Sequence, residues 1–137
     1  MYCSGGRRIS THQRARAAAK AVIVKLDGKM VMCVLPASHY VNFPLLKTAF
    51  GARETSLTPE EEYKVFPDCE PGSEPPFGNL YGMDVLVSRA LAQNREISFN
   101  ACSFSELIRL SFDDYVRVVN PTIMDFSVQQ TERRKAA

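Results

Sequence analysis

Apolar and polar positions alternate along the chain in short runs, and most of these runs have the length of a β-strand. Two neighbouring runs, 21–26 and 30–35, are rich in apolar and β-branched residues and are separated by Asp27 and Gly28. An Asp-Gly pair in this position predicts a β-hairpin. The second run is apolar at nearly every position, so we expect the core to cover one face and helices the other. Shorter runs predict further strands at 52–57, 83–87, 96–99 and 122–126.

Capping residues and prolines mark the helical segments. A helix is predicted over 44–50, because Pro44 suits a first turn, Asn42 or Phe43 can cap it and Gly51 can end it. Further helices are predicted from the capping boxes Thr58–Glu61, Ser103–Glu106 and Ser111–Asp114, with a short helical turn over 88–91. The chain is therefore predicted to be one mixed α/β domain with more hairpins than crossover helices.

Length and composition are those of one globular domain. The chain has 137 residues, of which 45% are hydrophobic and 23% charged. We expect a domain over 19–127, preceded by a polar, basic and disordered segment over 1–18 and followed by a polar tail over 128–137. No apolar run approaches the roughly 18 residues that span a bilayer, so no membrane partner is predicted.

Cysteine spacing and charge distribution limit which metal, thiol and phosphate chemistry we predict for this chain. The four cysteines lie far apart without a C-x-x-C pair, which predicts reduced thiols, a cytoplasmic location and neither metal nor cofactor. A nucleophilic Cys/His pair stays open as an alternative. Residues 1–29 carry seven lysines and arginines against one acid, Asp27. This basic region can attract phosphates, or it can be an ordinary solvated face.

Prolines and glycines are concentrated in one stretch, residues 66–78, which we call the proline loop. It holds four prolines and two glycines in thirteen residues, a composition that excludes a regular helix or a central strand. Stiff loops of this kind often carry binding or catalytic groups. A purely structural connector between two strands is the alternative.

Four segments, taken in order, resemble one known family. The stretches 19–24, 66–78, 97–101 and 112–121 are similar to the YbaK / prolyl-tRNA synthetase-associated editing domain family. The resemblance implies an α+β fold with a mixed, barrel-like, mostly antiparallel β-sheet and helices packed around it. It implies hydrolysis, in trans, of the ester of tRNA mischarged with a small amino acid. The implied partner is the 3′ end of mischarged tRNA, with an aminoacyl-tRNA synthetase as a second candidate.

The resemblance also implies site residues. Lys20, Gly72 and Pro76 are the expected catalytic positions. Lys20 can hold the terminal adenosine phosphate or polarise the ester carbonyl, and Gly72 allows the substrate to approach the backbone closely. We expect Lys20 and the loop segment 72–76 to converge on one small pocket. The expected substrate-binding residues are Ser73, Pro75, Phe77, Gly78, Ala101, Cys102 and Phe104.

Some positions depart from the family pattern. Cys102 stands where free-standing members often have glycine, Phe104 where they have histidine, and Ser88 where an acid commonly ends the strand. The segment before Lys20 is also shorter than usual. Two further hypotheses therefore accompany the deacylase. One is a catalytically weakened tRNA-binding or interaction module with the same fold, and the other is an unrelated small-molecule-binding α/β domain.

Overall fold

A long antiparallel hairpin forms the centre of the sheet. The structure is a computed structural model that describes residues 18–57, 69, 74–103 and 105–129. In chain order these residues form β1 (Ala19–Leu26), β2 (Lys29–Pro36), β3 (His39–Val41), α1 (Phe43–Phe50), β4 (Thr55–Leu57), β5 (Asp84–Ser88), β6 (Glu96–Asn100), β7 (Leu107–Ser111), α2 (Phe112–Val119), β8 (Thr122–Met124) and β9 (Ser127–Gln129), with short 3₁₀ helices at Gly78–Tyr81 and Leu91–Gln93.

The predicted hairpin is confirmed. β1 and β2 pair along their whole lengths, from Ala19 opposite Pro36 to Leu26 opposite Lys29. The turn residues Asp27 and Gly28 have φ values of 53° and 85°, which are the left-handed values of a tight hairpin turn.

The hairpin is extended on both sides into a five-stranded mixed sheet. Its strand order is β4-β1-β2-β5-β8, with antiparallel pairs at the β4 side and parallel pairs at the β8 side. Two smaller antiparallel sheets, β3 with β9 and β6 with β7, accompany it. A parallel bridge between Ala18 and Ser98 joins β6 to the start of β1. The mixed, mostly antiparallel α+β fold is confirmed, and in the described residues the sheet is not closed into a barrel.

Two apolar clusters cover the two faces of the central strands. The first cluster contains Ile23 and Met32 and is covered by Tyr115 of α2. The second contains Val24 and Val31 from the opposite faces of the same strands and is covered by Leu46 of α1. β2 is therefore buried on both sides, as its apolar run predicts. The described part of the chain has no helix long and apolar enough to cross a membrane.

Local capping chemistry fixes both helices. In α1 the Asn42 side chain accepts a hydrogen bond from the Leu45 amide at 3.0 Å, and Gly51 ends the helix with φ 82°. In α2 the Ser111 hydroxyl accepts from the Asp114 amide at 3.0 Å. Both helices confirm the sequence prediction.

The helix predicted after Ser103 is wrong, because residues 107–111 form β7 and pair with β6. The Ser103 hydroxyl accepts from the Ser105 amide at 3.2 Å, while the Glu106 amide donates to the Ser103 carbonyl at 3.3 Å. These bonds make a tight turn rather than a helix cap. The four residues 107–110, three of them apolar, are too few to reveal a period.

Two other predictions concern residues outside the described ranges or at their C-terminal end. The capping box at Thr58–Glu61 lies outside the described residues. At the other end β9 reaches Gln129, which pairs with His39 and lies within the segment predicted as a polar tail.

Candidate functional site

Lys20 lies at the rim of the sheet, as the second residue of β1. Its neighbour Ala19 belongs to the first cluster, so strand alternation directs the Lys20 side chain to the opposite face, which carries Val22 and Leu35. The lysine is half-buried, and this burial lowers the pKa of its ammonium group. A cation with reduced solvation is well suited to bind a substrate anion or a carbonyl oxygen.

The turn after β6 lies at the same rim. Ala18 and Ser98 form a parallel bridge, so the residues two positions further along each strand, Lys20 and Asn100, lie on the same face as the bridged pair. Asn100 leads directly into the β6–β7 turn, residues 101–106, which begins with two predicted site residues. In this turn the Ala101 amide donates to the Glu106 carbonyl at 3.1 Å. Lys20 and Ala101 thus belong to neighbouring strand ends.

Cys102 connects this turn to the proline loop. Its sulfur forms a disulfide with Cys69, which precedes Gly72 by three residues in the sequence. The bond corrects the prediction of reduced thiols for these two cysteines. Cys102 also has φ 69°, in the left-handed region that favours glycine, the residue that the family resemblance implies at this position.

The last part of the proline loop is anchored in the core. Pro76 is buried, and its carbonyl accepts a hydrogen bond of 2.6 Å from the Tyr115 hydroxyl. The Phe77 ring meets Phe99 and Tyr115 edge-on, with centroids 5.5 Å and 5.6 Å away. Pro75 is half-buried, and its carbonyl accepts from the Phe77 amide at 2.8 Å.

Gly78 permits close packing between the loop and the sheet. A Cβ atom at this position would lie 3.1 Å from Met32 Cβ and 3.2 Å from Val85 Cγ2. Because both neighbours are buried side chains of the sheet, the absence of a side chain at Gly78 lets the backbone approach β2 and β5. The space beside the Gly78 Cα is therefore filled by the side chains of Met32 and Val85.

The predicted site residues that the structure describes thus lie in three places. Phe77 and Gly78 pack on the face of the first cluster, whereas Lys20 points to the other face at the rim. Cys102 and Cys69 connect the β6–β7 turn to the loop. Gly72, Ser73 and Phe104 lie outside the described residues, so the convergence of Lys20 with the segment 72–76 stays a prediction.

A polar cavity of about 360 Å³ lies beyond the ends of the central strands. There the Ser127 hydroxyl is 2.8 Å from His39 Nδ1 and 2.6 Å from the Ser88 hydroxyl. Ser88, where the family resemblance implies an acid, therefore takes part in a hydrogen-bond chain with Ser127 and His39. Among the described residues, no three His, Cys, Asp or Glu side chains are grouped to hold a metal ion. The cavity is lined by Pro36, His39, Ala90, Gln93, Ser127, Val128 and Gln129.

Sequence reasoning missed several of these features. Tyr115 had a local signal, since Phe112, Tyr115 and Val119 recur on one helix face and are all buried. The Cys69–Cys102 bond and the His39–Ser127 contact join residues 33 and 88 positions apart, and no local pattern announces them. Glu74, a loop carboxylate that is only 5% exposed, was also not predicted.

Comparison with known proteins assigns the class of this fold and site. The family model described as the aminoacyl-tRNA editing domain matches residues 10–118, well over half of the chain. The chain therefore belongs to the aminoacyl-tRNA editing domain family, and the resemblance inferred from its sequence is confirmed.

Its curated relatives include much longer proteins. The proline–tRNA ligase of Bacillus mycoides (strain KBAB4) is 31% identical over 84 residues, which are 61% of this chain but 14% of the ligase. The proline–tRNA ligase of Bacillus cereus (strain AH187) matches with the same identity and coverage. The chain thus corresponds to a small part of each ligase.

Solved structures share the fold at low sequence identity. A candidate trans-editing enzyme for prolyl tRNA synthetase has a TM-score of 0.74 and 13% identity, covering 85% of this chain and 74% of its own. A candidate signal transduction protein from Marinobacter aquaeolei VT8 has a TM-score of 0.73 and 15% identity, covering 91% of this chain and 28% of its own. At these identities the likeness concerns the fold alone.

Proposed function

We propose that this protein hydrolyses, in trans and in the cytoplasm, the ester bond of tRNA mischarged with a small amino acid. The observation that carries the proposal is the half-buried Lys20 at the rim of an editing-domain sheet, beside the strand end that leads into Ala101 and Cys102. The family match and the 31% identity to part of proline–tRNA ligases support it. The proposed partners are the 3′ end of mischarged tRNA and an aminoacyl-tRNA synthetase.

Lys20 supplies the charge that this reaction requires. An aminoacyl ester is already activated, so the enzyme mainly has to position water and stabilise the developing oxyanion. Partial burial weakens the hydration of the Lys20 ammonium, which lowers its pKa and strengthens its attraction to a phosphate or carbonyl oxygen. When the tRNA terminus binds, its oxygen atoms replace the water contacts that the Lys20 ammonium lost on folding.

Substrate selection is proposed to depend on size. Gly72 leaves room for the ester end, and the bulk of Cys102 and Phe104 narrows the pocket toward alanine, serine, threonine or cysteine. An apolar pocket discriminates one methylene by only about 1–3 kcal/mol, whereas a pocket with hydrogen bonds discriminates far better. We therefore expect weak selection among these four and poor hydrolysis of tRNA charged with a large aromatic residue.

The test is deacylation of a panel of mischarged tRNAs by the wild type, Lys20→Ala and Lys25→Ala. The last variant is a matched control, because it removes the same charge from the same strand. We expect Lys20→Ala to lower kcat/KM by about 100-fold or more, the effect of losing one group that stabilises the transition state. Lys25→Ala should remain near the wild-type rate. Wild-type hydrolysis by Lys20→Ala would refute the assignment.

Binding at two salt concentrations separates the roles of Lys20 and Gly72. If Lys20 contacts a phosphate, Lys20→Ala should weaken binding of the tRNA end and reduce its salt dependence by about one counterion. Gly72→Ala should block the ester end and leave the salt dependence unchanged.

A tRNA-binding or interaction module is the second candidate function. The observation that favours it is the departure from the family pattern at Cys102 and Phe104, where free-standing members often have glycine and histidine. Such a module would bind the tRNA terminus with the same dependence on Lys20. It would not hydrolyse any member of the mischarged panel.

A further inference from the structure

A disulfide lies at the edge of the candidate site, where it joins two segments 33 residues apart in the sequence. Cys69 precedes the anchored residues 75–78, and Cys102 lies in the β6–β7 turn. Both residues are half-buried, so neither is fully enclosed in the core. Cys33 differs, because it is completely buried and its burial raises the pKa of its thiol to about 12.

The backbone at Cys102 gives a second, independent indication. Its φ of 69° lies in the left-handed region, which non-glycine residues adopt infrequently and at some conformational cost. Glycine would remove that cost, whereas a cysteine there retains a side chain that can bond to Cys69. The position thus combines an unfavourable backbone with a specific chemical partner.

We propose that Cys69 and Cys102 are a redox-modification site, which alternates between two thiols and one disulfide in exchange with a small disulfide of the glutathione class. The thiolate of one cysteine attacks the oxidised glutathione and releases one glutathione thiol. The second cysteine then attacks the mixed disulfide, forms the Cys69–Cys102 bond and releases the other glutathione. The cysteine pair loses two electrons and two protons, and the glutathione disulfide gains them.

The disulfide state organises the candidate site. The bond joins the β6–β7 turn to Cys69 and directs the Cys102 sulfur toward it. Reduction releases the two segments and leaves a free thiol beside the predicted pocket. In a reducing cytoplasm, disulfides are mostly transient or redox-sensing rather than permanent. The consequence for hydrolysis rests on the proposed function, whereas the thiol chemistry does not.

The first experiment measures the bond itself. The full-length protein is equilibrated in glutathione buffers of increasing oxidation, quenched with acid, alkylated and analysed by intact mass and peptide mapping. Wild type and the control Cys3→Ser should each yield a peptide pair linked through Cys69 and Cys102. Cys69→Ser and Cys102→Gly should not, and glycine suits the left-handed backbone at 102. Absence of the linked pair in oxidised wild type would overturn the proposal.

The second experiment measures what the bond does. Amide hydrogen exchange in peptides covering residues 69–77 and 101–106 should be severalfold slower in the oxidised wild type than in the reduced one, with no difference in Cys102→Gly. Oxidation should raise kcat/KM for deacylation about tenfold or more, since misplacing a catalytic group by 1 Å can cost 10²-fold.

The outcomes for the two proposals are separable. Slower exchange on oxidation without hydrolysis in either state would support the redox site and refute the deacylase. Hydrolysis at one rate in both redox states, without the linked Cys69–Cys102 peptide pair in the oxidised protein, would support the deacylase and overturn the redox site.

Discussion

Two segments carry predicted site residues, and they are held in place in different ways. Residues 76–78 are fixed by the core, through a buried hydrogen bond to Tyr115, edge-on aromatic contacts and the close approach of Gly78 to Met32. The β6–β7 turn is held by its own backbone hydrogen bonds and by one disulfide to Cys69. The first segment depends on the folding of the whole domain, whereas the second can be altered by chemistry at one bond.

Breaking the core-held segment should have the largest effect. In Gly78→Val the added carbons would meet Met32 and Val85, and overpacking of this kind costs about 3 kcal/mol at the upper end of its usual range. Urea unfolding should show this loss, while the exposed neighbour Asn79→Ala should change stability by less than about 0.5 kcal/mol. In a Val85→Ala background the cost of Gly78→Val should fall, because the added carbons regain space. If Gly78→Val costs the same stability in both backgrounds, the added carbons do not clash with Val85.

Removing one hydrogen bond should have a smaller effect. Tyr115→Phe keeps the aromatic ring but leaves the buried Pro76 carbonyl without its 2.6 Å donor, which should cost about 1–2 kcal/mol. Burial raises the pKa of Tyr115, so the folded protein binds the phenolic proton more tightly than the unfolded chain. The wild type should therefore lose stability as the pH rises above about 10, and Tyr115→Phe should lack that part of the loss. Parallel pH profiles for both proteins would contradict this.

The contrast between local and long-range contacts explains which features the sequence could predict. The β1–β2 turn and the caps at Asn42 and Ser111 depend on chemistry within a few residues, and these predictions are confirmed. Residues 107–111 were misassigned because their state is decided by pairing with β6, not by their own period.

Long-range contacts limited the prediction of the site more severely. The Tyr115 hydroxyl meets the Pro76 carbonyl across 39 positions, and the Cys69–Cys102 bond spans 33. The sequence motif indicated that Pro76 and Cys102 lie near the site. Only the folded chain shows that Pro76 is bonded to the core and that Cys102 is bonded to Cys69.

Replacing Lys20 at the rim of the sheet should have the smallest effect on stability, but one with a characteristic pH dependence. Because burial lowers the pKa of Lys20, the unfolded chain binds its proton more tightly than the folded protein. The resulting destabilisation is fully present below the folded-state pKa and disappears as the pH rises to the unfolded value of about 10.4. Relative to Lys20→Met, the wild type should thus gain stability through the alkaline range below that value.

Urea unfolding at several pH values from neutral to alkaline measures this difference. Lys25→Met removes the same charge from the same strand and controls for the loss of a positive charge as such. The gain will be small, since Lys20 is only half-buried and solvent screens much of its charge. If Lys20→Met has the same pH slope as the wild type, the Lys20 ammonium is fully hydrated in the folded protein. The rim would then lack the poorly solvated cation proposed to bind the tRNA terminus.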